Sequence, residues 1–476
     1  LGLAGAGLGA VAAAAPVFHD LDEFISSSGG VTKHPWWVKE REYNDPTVEI
    51  DWSIYKGWDR NPGNIRHRNF PPYGDAETRA NIEKWNRESS EANTRQGEVK
   101  KQRMLSNLPG FSVRDYALGQ AERTFSSGKY TAPQDDPFCY PVTTPEKLGV
   151  PRYTGTPEEN LHTVSAALHY FGSPMVGAVE INDYTKRLLF TDSARFEDVA
   201  EPYIDGTPLP DKPWSSEHVV VIPNTWRWAI VYVVPQPLVL SKFGAARLNV
   251  GGGRGYANRT TLTHRILRFV EALGYGATGY VERPPWGSWR VMNVTAFGTM
   301  GGLGELGRVA HLVTPERGTI IRNADAVITD LPLSPTRPID FGAFRFCKTC
   351  KLCSDVCHRT SPGALYTETE PTWEITGPWN AAGIKRWPIN YAKCRCGGNF
   401  CDGVCVFSQL DAATIHKAVK AVVATTSIFN GFFTTMDKAF GYGIKEGTFL
   451  DEEEECQAAE DWWNRDLNTY PHDIIM

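Results

Sequence analysis

Apolar residues recur at helical spacing in two stretches a hundred residues apart. In "EENLHTVSAALHYFG", Leu161, Val164, Leu168 and Phe171 share one helical face, Gly172 stands where a C-cap is needed, and "MVGAVEI" follows as a strand. In "TTLTHRILRFVEALG", Leu262, Ile266, Phe269, Val270 and Leu273 share a face, Gly274 closes the helix, and "YGATGYVE" follows as a strand. Both strands end in Val-Glu, as Val179-Glu180 and Val281-Glu282, so the pattern reads as an internal pseudo-repeat. Between them "HVVVIPN" and "WAIVYVV" are apolar enough to be buried strands. Residues 151–330 are therefore expected to form an α/β (α+β) domain.

The flanks differ. Residues 16–150 are rich in Trp, Pro, Arg and Asn with weak periodicity, and read as a wrapping region with one helix around 75–105. Residues 331–410 hold eight of the ten cysteines and offer no regular element long enough to build a core. From 411 to 476 the chain reads as an amphipathic helix over 411–440, a solvated acidic run "DEEEE" at 451–455, and a tail with Trp462 and Trp463.

Length and composition narrow the class. At 476 residues the chain exceeds one ordinary hydrophobic core, so two or three cooperating units are expected. Its 41% hydrophobic and 22% charged content is that of a soluble globular protein. A net charge of −6 with a pI near 6.0 gives no reason to expect nucleic acid as a partner. The generous aromatic load fits a packed interior or an aromatic-lined pocket for an apolar ligand. The opening "LGLAGAGLGAVAAAAP" is Ala- and Gly-rich, too glycine-rich for a good buried helix, and suits cleavage after Ala15. Residues 1–15 thus read as the remnant of an export signal. No later stretch has eighteen uninterrupted apolar residues.

The chemistry concentrates in "CKTCKLCSDVCHRTSPGAL", where Cys347, Cys350, Cys353 and Cys357 fall within eleven residues, and in "CRCGGNFCDGVC", which holds Cys394, Cys396, Cys401 and Cys405. Disulfides are open to an exported chain, but cysteines three apart in a tight run do not readily pair with each other. Zinc takes four ligands per site, and CxxC pairs occur in zinc sites. CxxCxxCxxxC, however, is the bacterial ferredoxin run, whose fourth cysteine reaches the other cluster of a two-cluster protein. With that crossover, Cys347, Cys350, Cys353 and Cys405 hold one 4Fe–4S cluster, and Cys357, Cys394, Cys396 and Cys401 the second. The second run departs from the usual spacing, and His358 and Val406 stand where such runs have proline. Cys139 and Cys456 are left over. A wire of two clusters must end at a redox centre.

The stretch "GGLGELGRVAHLVTPERGTIIRNADAVITDLPLSPTRPIDFGAFRFCKTCKLCSDVC", residues 301–357, resembles the corrinoid-dependent reductive dehalogenases of organohalide-respiring bacteria. The resemblance runs from the leader to the aromatic tail and is densest over about 245–410. It implies a nitroreductase-like domain holding a base-off corrinoid and a ferredoxin-like two-cluster domain feeding it electrons. It implies a twin-arginine leader, a place on the outer face of the cytoplasmic membrane as a peripheral protein, a small integral-membrane anchor partner and upstream electron-donating respiratory proteins. The family's proton-donating tyrosine falls on Tyr256 in "GGRGYANRTTLTH", in the loop before the long helix. The arginine beside it falls on Arg322 in "TPERGTIIRN", with Arg317 the poorer fit. Glu282 occupies the place of an asparagine that usually contacts substrate, and "RPPWGSW" at 283–289 reads as a local insertion.

The residues themselves allow a parallel reading. Four glycines at 249–257 let a backbone approach a bulky ligand, so Gly252, Gly253, Gly255 and Asn258 are candidate corrinoid contacts. Without the resemblance, Tyr256 would be a packed aromatic and Arg322 a surface residue. The function implied is reductive dehalogenation of an organohalide, with Tyr256 as proton donor and Arg322 stabilising the tyrosinate. The alternatives are an epoxyqueuosine reductase-like corrinoid and iron–sulfur enzyme acting on tRNA, or an iron–sulfur electron carrier without a substrate site. The export-like leader and acidic charge stand against the first; bound cobalt would stand against the second.

Overall fold

The computed structural model describes residues 34–59, 76–122, 142–207, 219–237, 239–241, 251–282, 288–377, 379–391, 393–394, 399–408, 415–440 and 452–466. The leader remnant, Cys139, Cys396 and most of the 283–289 segment lie outside these residues.

At the centre stands a four-stranded sheet of β1 (Val176–Glu180), β2 (Trp228–Pro235), β3 (Ala277–Thr278) and β4 (Ile321–Thr329), in the order β1-β2-β4-β3. Every pairing in it is antiparallel. Helices α1 (Pro157–Phe171) and α2 (Gly251–Ala272) cover one face, and α3 (Val294–Met300) covers the other. Strand alternation explains the long apolar run of β2. Ile230, Tyr232 and Val234 point to Leu161, Leu168, Leu262 and Ile266, whereas Ala229, Val231 and Val233 point to Phe297 and Met300. With both faces buried, alternation between apolar and polar residues disappears, as it does in parallel sheets.

The helix expectations hold in detail. Thr156 accepts from the Glu159 N–H and Glu159 reaches back to the Thr156 N–H, a capping box, with Pro157 at the first helical position. Gly172 ends α1 at φ 107°, a left-handed conformation that a Cβ disfavours. Leu161, Val164, Leu168, Leu262, Ile266 and Val270 are buried, with Phe171, Phe269 and Leu273 packed against them. Helix Ala76–Leu105 fills the 75–105 expectation, and the 411–440 expectation resolves into two helices, Ile415–Thr425 and Asn430–Phe440.

"HVVVIPN" and "WAIVYVV" form buried strands as expected, in different sheets: Val219–Pro223 pairs in parallel with Ala194–Glu197 and antiparallel with Tyr203–Asp205. Two expectations need correction. The pseudo-repeat fails in its second strand. Only Ala277–Thr278 joins the central sheet, while Val281 and Glu282 turn away to pair with Ser288–Arg290. Finally, the cysteine region does have a core. Phe341, Phe346, Leu352, Val406 and Phe407 pack with Val419 and Val423 of the Ile415–Thr425 helix, so short elements pool side chains across position 410.

The N-terminal segment wraps as expected. Lys39–Glu40 pairs with Ile339–Asp340, Ile50 bridges Ile384, and Trp58 bridges Phe190.

Candidate functional site

Tyr256 lies in the second turn of α2, not in a loop before it. Close packing demands a glycine at 255. A Cβ on Gly255 would stand 2.8 Å from Arg322 Cβ and 3.0 Å from Gln236 Oε1. The Asn258 amide donates to Pro235 O at the end of β2 (3.0 Å). Gly255 and Asn258 serve the contact between α2 and the sheet, and from Gly251 on the stretch expected to be a loop is helix.

A β-bulge on the facing strand aims Arg322. In β4 the register steps from Ile321↔Pro235 to Ala324↔Val233, so one extra residue is inserted. Ile321 and Ala324 therefore share a core face although they are three apart. Asn323 takes the left-handed conformation (φ 64°), which asparagine tolerates better than most residues, and its Nδ2 donates to Thr295 Oγ1 (2.6 Å). Arg322 is thereby turned to Tyr256: its guanidinium donates to the phenol oxygen and lies 3.8 Å from the ring centre.

Two further cations converge on Tyr256 that sequence reasoning missed. The Arg259 guanidinium is 4.9 Å from the ring centre, one helical turn on, a spacing that could have revealed it. Arg290 joins through the field, anchored by Nε 3.1 Å from Asp325 Oδ1. Asp325 is fully buried and accepts from Thr263 Oγ1 (3.1 Å), which is itself 2.8 Å from the Tyr232 hydroxyl. Burial pushes the Tyr256 phenol up, but Arg322, Arg259 and Arg290 together hold it below its ordinary value. The arrangement can stabilise a phenolate. Arg317 sits apart in the Thr314–Gly318 turn. Glu282 is in register with Ser288 at the end of its short strand.

Beside the bulge opens a cleft of about 220 Å³, whose wall includes Thr295, the partner of Asn323. Its other walls come from segment 46–58 (Val48, Ile50, Tyr55, Trp58) and segment 379–391 (Trp379, Ile389, Tyr391). Burial pushes the Tyr55 phenol to about 12 against the opposing pull of Arg386. Arg386 Nη2 is buried in this wall with no hydrogen-bond partner among the described residues. None of Gly252, Gly253, Gly255 and Asn258 lines the cleft.

The cysteines gather beneath. Helix α4 (Ala343–Thr349) carries Cys347, Cys350 follows it, and α5 (Leu352–Thr360) carries Cys353 and Cys357. Cys401 lies in Asn399–Gly403, with Cys405 just beyond. The thiols of Cys347, Cys350, Cys353, Cys401 and Cys405 line one void. Burial pushes Cys347 up, and the like charges of Cys405 and Cys350 add to it; for Cys353 the added neighbours are Cys347, Cys350 and Cys405. Burial also raises Cys401, whose like-charged neighbours are Asp402, Cys353, Cys394 and Cys357. The fold thus brings Cys347, Cys350, Cys353, Cys401 and Cys405 around one void, with Cys357 and Cys394 close enough to act on Cys401. None of the described cysteines is in a disulfide. Among the described residues no three metal-ligating side chains converge on a single point.

One short segment fixes this frame, and sequence reasoning gave it no role. The buried Glu305 carboxylate accepts the N–H groups of Phe341 (2.7 Å), Ala343 (3.0 Å) and Phe344 (3.1 Å) at the start of α4. Three residues on, Arg308 donates to Cys347 O at the end of α4 (3.0 and 2.7 Å) and to Lys348 O (3.4 Å). An anion at the N-terminus and a cation at the C-terminus match the helix dipole at both ends.

Comparison with known proteins bears on the family and the fold. The profile of the reductive dehalogenase subunit family matches residues 33–333. A chloroethene reductive dehalogenase of Dehalococcoides mccartyi strain VS is 32% identical, over 93% of this chain and 92% of its own length. A trichloroethene reductive dehalogenase of another D. mccartyi strain is 29% identical over 97% and 94%. The fold is shared with the catabolic reductive dehalogenase NpRdhA (TM-score 0.51, 16% identity), covering 84% of this chain and 48% of that one, so this chain spans about half its length. A solved reductive dehalogenase described as B12-dependent matches equally well (TM-score 0.51, 16% identity, 84% and 49%). The chain belongs to the reductive dehalogenase family.

Proposed function

We propose that, as a member of that family, this chain reduces a carbon–halogen bond of a small organohalide, with Tyr256 supplying the proton. It is an oxidoreductase: two electrons and one proton convert the carbon–halogen bond to carbon–hydrogen and release halide. Given the named activities of its relatives, chlorinated ethenes are the first substrates to test.

The observation that carries the reading is the pairing of Tyr256 with Arg322. Because the phenol oxygen accepts from the guanidinium, its own proton is left for another acceptor, here assigned as the reacting carbon. Arg322 cannot release a proton itself at neutral pH. It stabilises the phenolate left behind, with Arg259 and Arg290 adding to the field.

The cofactors fit the residues present. A corrinoid would occupy the cleft, whose walls are largely apolar and whose Arg386 Nη2 awaits an acceptor. The nitroreductase-like reading of this part and the ferredoxin-like reading of the cysteine part rest on the family resemblance. Two 4Fe–4S clusters suit the soft thiolate donors and the count of eight cysteines in the two runs, with Cys396 completing the second set. When bound, the corrinoid supplies electrons to the halogenated carbon and the clusters supply electrons to it. Glu282 stays a candidate substrate contact. The leader reading extends to twin-arginine export, the outer membrane face and an integral anchor partner; among the described residues no helix is long and apolar enough to cross a membrane.

Reduced methyl viologen with a panel of chlorinated ethenes, ethanes and aromatics tests the activity. Halide release that depends on enzyme supports it. A loaded enzyme inert on the whole panel overturns it.

A further inference from the structure

We propose that Arg308 is a positioning residue that sets the electron affinity of the cluster on the Cys347 side, its cation favouring that cluster's reduced form. The inference rests on the reading of the cysteines as two 4Fe–4S cradles.

Arg308 is 1% exposed, an unusual place for a permanent cation. Its donors go to four backbone carbonyls, those of Cys347, Lys348, Tyr366 and Glu368, and its guanidinium stacks 4.6 Å from the Trp387 ring centre. Carbonyls satisfy its hydrogens but carry no countercharge. A buried charge needs an opposite charge nearby. Those that act on Arg308 are the thiols of Cys353, Cys347 and Cys350, in their ionised form, and Asp355. A cluster bound by four thiolates is anionic and gains one more negative charge on reduction, so a fixed cation favours the reduced state. Net charge and hydrogen bonding around the sulfurs are established levers on cluster potential.

The Asp402 carboxylate favours neither side. Held by His311 Nδ1 at 2.8 Å, it acts as a like charge on Cys401 and on Cys405, one ligand of each cradle. The Arg308 cation acts on Cys347 and Cys353, both of one cradle, so the Cys347-side cluster is the first to be reduced.

The test is an EPR-monitored redox titration of purified holoenzyme at pH 8. Cys347→Ser and Cys394→Ser identify which signal belongs to which side. Iron analysis of the parent comes first: roughly eight iron per chain supports the two-cluster reading, and a clear shortfall sinks that reading rather than this inference. In the parent the Cys347-side cluster should have the higher potential. Arg308→Gln should lower its reduced-to-oxidised ratio at fixed potential about tenfold, equivalent to about 59 mV for one electron, with the other cluster unmoved. Arg308→Lys keeps the charge but cannot serve four carbonyls, so its potential should stay near the parent's while its thermal stability falls. If Arg308→Gln loses the cluster, the parent's ordering and the lysine variant decide. A parent in which the Cys347-side cluster is the lower-potential one, a glutamine variant with full iron and unmoved potential, or a lysine variant shifted as far as glutamine would each overturn the inference.

Discussion

Arg322 donates to the phenol oxygen of Tyr256 while its guanidinium lies across the phenol ring, 3.8 Å from the centre. One side chain thus acts on Tyr256 by hydrogen bond and by charge. Losing general-acid assistance typically costs ~10²–10⁴-fold in rate. Tyr256→Phe should therefore retain iron and cobalt and lose halide release by about that factor. Parent-like turnover with full cofactors would assign the proton to another group.

The sign of the pH dependence follows from the same pair. Burial raises the phenol, three arginines overcome it, and the net result lies below the ordinary ~10. The acid must hold its proton, so the rate should fall as pH rises through this lowered value, earlier than for a free phenol. Arg322→Met removes the nearest cation and leaves the burial, so the alkaline limb should move up in pH. The linked stability has the opposite sense. With the folded value depressed, the contribution is fully present above ~10 and lost as pH falls through the lowered value. A pH–rate profile of parent and variant checks the direction; a limb that stays put removes Arg322 from the argument.

Gly255 sets two known effects against each other. Alanine would improve helix propensity by ~0.5–1 kcal/mol. Its Cβ would meet Arg322 Cβ at 2.8 Å and Gln236 Oε1 at 3.0 Å, and overpacking of this kind costs ~1–3 kcal/mol. The clash is the larger effect. Gly255→Ala should lower the thermal unfolding midpoint and, by displacing Arg322, reduce the rate. A raised midpoint with unchanged rate would mean that α2 backs away from β4 at no cost.

Metal content is the most direct check on the cysteines. Purified under reducing, anaerobic conditions, the chain should carry roughly eight iron and one cobalt. Cys353→Ser should lose about half the iron, because Cys353 is a ligand of one of the two proposed clusters. Two zinc per chain with little iron would return the site to the zinc reading.

The sequence alone determined what repeats locally or is spaced along the chain. Leu161, Val164 and Leu168 announced α1, and Leu262, Ile266 and Val270 announced α2, because helical period is a one-dimensional signal. The cysteine spacings announced cluster chemistry in the same way, and resemblance singled out Tyr256 and Arg322. Tertiary structure alone decided how these parts meet. The bulge at Arg322 and Asn323 is a single extra residue whose effect appears only when β2 is laid beside β4. Arg290 comes to Tyr256 from another strand, and Glu305 and Arg308 find the two ends of a helix some forty residues on. No local pattern encodes such meetings. They are fixed by the cost of burying a charge without a partner, and that cost exists only once the chain has folded around it.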